Sequence, residues 1–254
     1  MKHFNNFLPW LVILAVFGLS EQILQQPKQV YYLGPVILIL IILSVWQLTG
    51  REVKIEKFWR FLITPLLFSM AGMLFLGFLE GQYARQLFLL GQMVLLWAYL
   101  EIIFLRYHLR PKYEPYSLEN VTVHLNLITI YLTACGFYNL ILFLAINFWL
   151  LLGLFVLIGL LMSYQLIWAS GVTTRVGWHY LAVISLLTAE LFWIVNYLPT
   201  SIYVNGLMVT LGYYLMSGLS RNWLLGIRDS QVIKRYLIIG SFILLIILIT
   251  AKWF

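Results

Sequence analysis

Runs of about eighteen or more residues almost free of charge recur along this chain, and no other feature limits its fold so severely. A helix rising about 1.5 Å per residue needs roughly 17–25 apolar residues to cross about 30 Å of hydrocarbon. Nine such runs are legible, at 7–24, 31–49, 61–79, 86–105, 121–145, 147–169, 177–198, 201–220 and 236–253. The fifth and sixth would merge but for Ala145-Ile146-Asn147, which reads as a tight turn at the membrane surface. The seventh and eighth part at Leu198-Pro199-Thr200-Ser201, where Pro199 cannot continue a helix and Ser201 can cap the next one. The longest connection, 106–120, leaves no room for a soluble domain. The expectation is an all-α polytopic membrane bundle of about nine transmembrane helices, a single transmembrane domain over 1–254.

Composition agrees. Of 254 residues, 63% are hydrophobic and 10% charged, against about 45–50% and about 25% in soluble proteins. The mean hydropathy of +0.93 leaves too little polar surface for a globule in water. Soluble enzymes, nucleic-acid modules, disordered chains and disulfide scaffolds are excluded. Cys135 is the single cysteine, so no intramolecular disulfide exists.

The basic residues check the count of spans independently. Nine spans put the N-terminus and the loops near 50–60, 106–120, 170–176 and 221–235 on one side, with 13 of the 16 Lys and Arg. The other side holds Lys28, Arg85 and Lys252, which is 3. The positive-inside rule then places the N-terminus in the cytoplasm and the C-terminus outside. This partition accounts for the net charge of +7 without any nucleic acid. The partner it calls for is the lipid bilayer, with anionic headgroups against the basic loops.

Two local signals carry less than they suggest. Residues 1–20 resemble a signal peptide, with Lys2, an apolar run from Phe7, then Gly18 and Ser20, but an uncleaved first span is the expectation in a multi-pass chain. Asn120-Val121-Thr122 is a glycosylation sequon on the side expected to be cytoplasmic, where no glycan is added. No GxxxG pair falls within a span.

Polar residues inside spans are the informative ones, since hydrocarbon leaves them without partners. Glu190 lies thirteen residues beyond Gly177 and eight before Leu198. It shares a helix face with His179, Val183, Leu186, Ile194 and Tyr197. Such a carboxyl can serve as a proton or cation site, or anchor a substrate amine. Equally, it can hold helices together, with His179 merely interfacial. The fifth span carries Thr122, Asn126, Thr129, Thr133 and Gly136 at spacings of four, three, four and three, with Asn139 toward the edge. That stripe either packs against another helix or lines a hydrated path. Ser201, Asn205, Met208 and Gly212 repeat the pattern in the eighth span, and Pro65 is expected to kink the third. The candidate intramembrane polar site is thus Glu190, His179, Asn126, Thr129, Thr133 and Asn205.

Recognisable chemistry is sparse. The chain has no HExxH, GxSxG, P-loop or CxxC motif and no mid-span lysine, so no catalytic motif is supported and no cofactor is expected. His124, His179 and Glu101 lie at similar depth and could form a metal or acid–base trio. The leading functional expectation is a small transporter or permease for a solute or lipid-like molecule. A non-catalytic membrane subunit or scaffold with protein partners in the membrane comes next, and an intramembrane enzyme acting on a lipid-linked substrate third. The first two differ in whether Glu190 and the fifth-span stripe converge on one cavity.

The segments ELFWIVNYLPTSIYVNG at 190–206 and KRYLIIGSFILLIILITAKW at 234–253 resemble poorly characterised multi-pass proteins of bacterial genomes. The resemblance is confined to the C-terminal quarter. It implies a bacterial cytoplasmic membrane and no activity.

Overall fold

The structure, a computed structural model, describes residues 2–49, 55–114, 116–169, 175–227 and 229–251. Among them lie nine α-helices and no strand. These are α1 (Lys2–Gln25), α2 (Val30–Thr49), α3 (Ile55–Phe78), α4 (Gln82–His108), α5 (Ser117–Leu144), α6 (Phe148–Ala169), α7 (Arg175–Val195), α8 (Ile202–Leu224) and α9 (Ser230–Thr250). Single 3-10 turns, Pro27–Gln29 and Arg110–Lys112, lie in the connections before α2 and α5. All nine helices are long and apolar enough to cross a membrane, as the apolar runs predict. Of the basic residues in the sidedness count, Arg51, Lys54, Arg228 and Lys252 lie outside the described residues.

The turns show why the helices stop where they do. Ala145 takes a left-handed φ of 50°, which ends α5. The Ile146 N–H then donates to the Leu140 carbonyl at 3.3 Å, and Asn147 accepts from the Trp149 N–H at 2.9 Å to open α6. α7 stops at Val195, three residues before the expected Leu198. After the turn, Ser201 Oγ accepts from the Val204 N–H at 3.4 Å and caps α8, as its position beside Pro199 predicts. α8 closes on Gly226 at φ 76°. There the Ile227 N–H reaches Asn222 O and the Gly226 N–H reaches Trp223 O, each at 3.0 Å.

The chain divides into two compact units, one up to Leu125 and one from Asn126, with the division inside α5. In the first unit α1 packs on α2 and α4, while α2 and α4 also pack on α3 and on each other. Buried positions recur at helical spacing, as Ile37, Ile41, Val45 and Leu48 on α2 and Leu89, Met93, Leu96, Leu100 and Ile103 on α4. Pro65 stands inside α3 and has no N–H to offer the Phe61 carbonyl one turn earlier. The hydroxyl of fully buried Tyr99, on α4, donates to that carbonyl at 2.9 Å instead. At one end of this unit the Arg106 guanidinium pairs with Glu119 at 2.9 Å. Tyr113 donates to the other Glu119 oxygen at 3.2 Å. Burial pushes the Tyr113 phenol up, so it keeps the proton it donates.

In the second unit α6, α7, α8 and α9 pack in chain order. Phe192 is fully buried and stacks with Tyr138 at 4.5 Å and Phe155 at 4.4 Å between ring centroids. The Tyr138 hydroxyl donates to Phe192 O at 2.8 Å, which ties α5 to α7. α8 carries Gly206, Gly212 and Gly218, each six residues, about 240°, from the last. The three glycines therefore open notches on three faces. Cys135 Sγ of α5, Leu191 of α7 and Tyr236 of α9 fill them, and a Cβ at any of the three would collide with its occupant. α9 buries only Gly240 and Ile247.

Candidate functional site on the outer face of α7

The six candidate residues separate into two groups. Asn126, Thr129 and Thr133 are buried, as are Thr122 and Asn139 of the same stripe. Their bonds run to protein. Asn126 Nδ2 donates to Met162 O of α6 at 3.2 Å, Thr133 to Thr129 O at 2.7 Å and Asn139 to Cys135 O at 2.8 Å. Asn205 is buried too and accepts from the Thr200 hydroxyl, bracing the turn before α8. Asn126 thus fastens α5 to α6, while Thr133 and Asn139 bond within α5 and Asn205 bonds to the turn before α8.

Glu190 and His179 lie elsewhere. α7 turns Ile184, Ser185, Thr188 and Phe192 inward and leaves His179, Val183, Leu186, Glu190 and Ile194 exposed. Ser185 holds this face of α7 against α6. Ser185 Oγ donates to Val156 O of α6 at 2.8 Å, and its side chain lies against Gly159. Thr188 donates to Ile184 O at 2.6 Å. Glu190 follows Thr188 by two residues, about 200° around the helix, so its carboxylate leaves the protein. With α7 ending at Val195, it stands five residues, about 7.5 Å, from that end. Among the described residues neither the Glu190 carboxylate nor the His179 ring makes a hydrogen bond or ion pair. Eleven residues, about 16 Å along the helix, separate the two.

The trio of His124, His179 and Glu101 is not assembled. His124 is exposed and its Nδ1 lies 2.8 Å from Asn120 O. Among the described residues no three His, Cys, Asp or Glu come together to hold a metal ion. Sequence reasoning passed over Tyr99, Tyr138, Ser163 and Tyr213, all buried. Tyrosines are counted among the hydrophobic residues of the composition, which hides their hydroxyls. Ser163 lies one turn beyond Gly159 on the α6 stretch that meets α5 and α7, and only the four-residue spacing of the two was visible in the sequence.

The arrangement is that of a multi-pass α-helical membrane protein. The chain belongs to the family described as Protein of unknown function (DUF5656), whose match spans residues 32–250. That match reaches far beyond the C-terminal quarter on which the resemblance rests. No curated protein and no solved structure matches the chain.

Proposed function

We propose that this protein is a non-catalytic subunit of a membrane complex, held to another membrane protein through the outer face of α7. The observation that carries this reading is the exposed Glu190 carboxylate, set among exposed Leu186, Leu187, Trp193 and Ile194 with no partner among the described residues. Hydrocarbon offers no donor, so a carboxyl there is costly until another helix supplies one. The occupant is a transmembrane segment of a different protein that presents Lys, Arg, Asn or Gln at the depth of Glu190. Transport would require Glu190 and the α5 stripe to share a space. The stripe is buried and the carboxylate faces out, which is why the subunit reading leads. The basic-residue partition and the resemblance support a bacterial cytoplasmic membrane, N-terminus inside and C-terminus outside.

The test is site-specific photo-crosslinking from Leu186 and Ile194 in membranes of the cell that encodes the protein, with Ile239 on α9 as control. The reading requires an adduct from α7 and none from α9, lost in Glu190→Leu and largely kept in Glu190→Gln. Its crosslinked peptide must be a membrane segment with Lys, Arg, Asn or Gln within one turn of the attachment point. An adduct between two copies of this chain, or one indifferent to Glu190→Leu, overturns it.

A further inference from the structure

A cavity of about 170 Å³ lies in the first unit, between the C-terminal turns of α1 and α3 and the starts of α2 and α4. Ile23, Leu24, Val30, Met73 and Leu76 give it an apolar wall, and its polar groups come from Ser20 and Arg85. An apolar cavity of about 150 Å³ takes up a molecule the size of benzene, so this space accepts a short stretch of aliphatic chain. Arg85 is fixed in place: its Nε donates to Leu79 O at 2.6 Å. Its two terminal nitrogens have no partner among the described residues. Among the described residues no acid forms an ion pair with Arg85, and both Glu21 oxygens accept from Gln86 Nε2, at 2.8 and 2.9 Å.

Depth orders these groups. Arg85 stands three residues, about 4.5 Å, inside the start of α4, while Ser20 and Met73 each lie five residues, about 7.5 Å, from their helix ends. Tyr31, Tyr32 and Tyr83, exposed by 78%, 78% and 94%, occupy the same ends of α2 and α4 and mark the level of an interfacial aromatic belt. A guanidinium at headgroup level with a greasy slot below it matches one kind of molecule. We propose that the cavity binds one anionic amphiphile, its carboxylate or phosphate on Arg85 and the first part of its chain between α1 and α3. Fatty acids and anionic phospholipids share this chemistry.

The test uses the full chain, delipidated in a nonionic detergent, with thermal unfolding followed as probe is added. The probes are oleate, phosphatidylglycerol, phosphatidylcholine, dodecylamine and inorganic phosphate. A ligand that binds only the folded state raises Tm. Oleate, phosphatidylglycerol or both should raise it by about 5 °C or more at saturation, and which of them does so identifies the source. The other three should not. Arg85→Gln removes the charge, and Gly77→Phe fills the slot from a wall position where an added Cβ meets nothing within 4 Å. Each should weaken binding by about tenfold or more while leaving the ligand-free Tm near wild type. Should Arg85→Gln fail to fold, Gly77→Phe decides alone. Equal stabilisation by phosphatidylcholine or dodecylamine, an undiminished response in a folded variant, or no response to either anionic amphiphile overturns the proposal.

Discussion

A proline inside a membrane helix removes the amide donor from one carbonyl, and here a tyrosine on the next helix donates to it. Tyr99→Phe should therefore cost about 1–3 kcal/mol, because Pro65 has no N–H to offer the Phe61 carbonyl and the buried Tyr99 hydroxyl donates there. In a Pro65→Ala background the helix amide returns, and the same substitution should cost no more than about 0.5–1.5 kcal/mol, an ordinary buried hydrogen bond. A double-mutant cycle by unfolding in detergent measures the difference. Equal losses in both backgrounds would contradict the pairing. Glu190 makes the opposite prediction. Its carboxylate is exposed and unbonded within the described chain, so Glu190→Leu should leave the Tm of the isolated protein unchanged or raised. A loss of more than about 1 kcal/mol would place a hydrogen bond to Glu190 inside the chain and remove the reason to expect an outside partner.

Glycine notches and caps shape these helices beside their apolar faces. Gly206→Ala should destabilise by about 1–3 kcal/mol, the range for overpacking, because the new Cβ meets the buried Cys135 Sγ, which has only one side-chain torsion with which to yield. Gly153→Ala on α6, where nothing lies within 4 Å, should instead stabilise by up to about 1 kcal/mol through helix propensity. Thermal unfolding of the two variants separates notch from open face, and equal effects would deny the notch. Ser201→Ala should cost about 1 kcal/mol as a lost cap. The helix ends were largely legible, since Pro199, Ser201 and Asn147 act through local backbone chemistry that needs no tertiary context. The α5 stripe was legible too, because five polar or small residues on one face of an apolar helix fix its phase. The face of Glu190 was not. One acid in an apolar helix carries no phase of its own, and the cue lay in Ser185, Thr188 and Phe192, which a hydropathy scan weighs as ordinary span residues.

At the scale of the molecule, nine spans were readable because the length of each apolar run is set by the bilayer and not by packing. What packing decides was beyond that reading. The division of the chain at Leu125 and Asn126, the service of Phe61 O by Tyr99 and the cavity beside Arg85 all depend on which helices become neighbours. The proposed function rests on α7 crossing the membrane, and the sidedness of its ends rests on nine crossings with the basic loops on one side. The most direct measurement is a pair of topology reporters, one fused after Phe254 and one inserted between Tyr113 and Tyr116. The account predicts that the C-terminal fusion reports outside the cytoplasm and the insertion reports inside it. Both reporters scoring on the same side would contradict it.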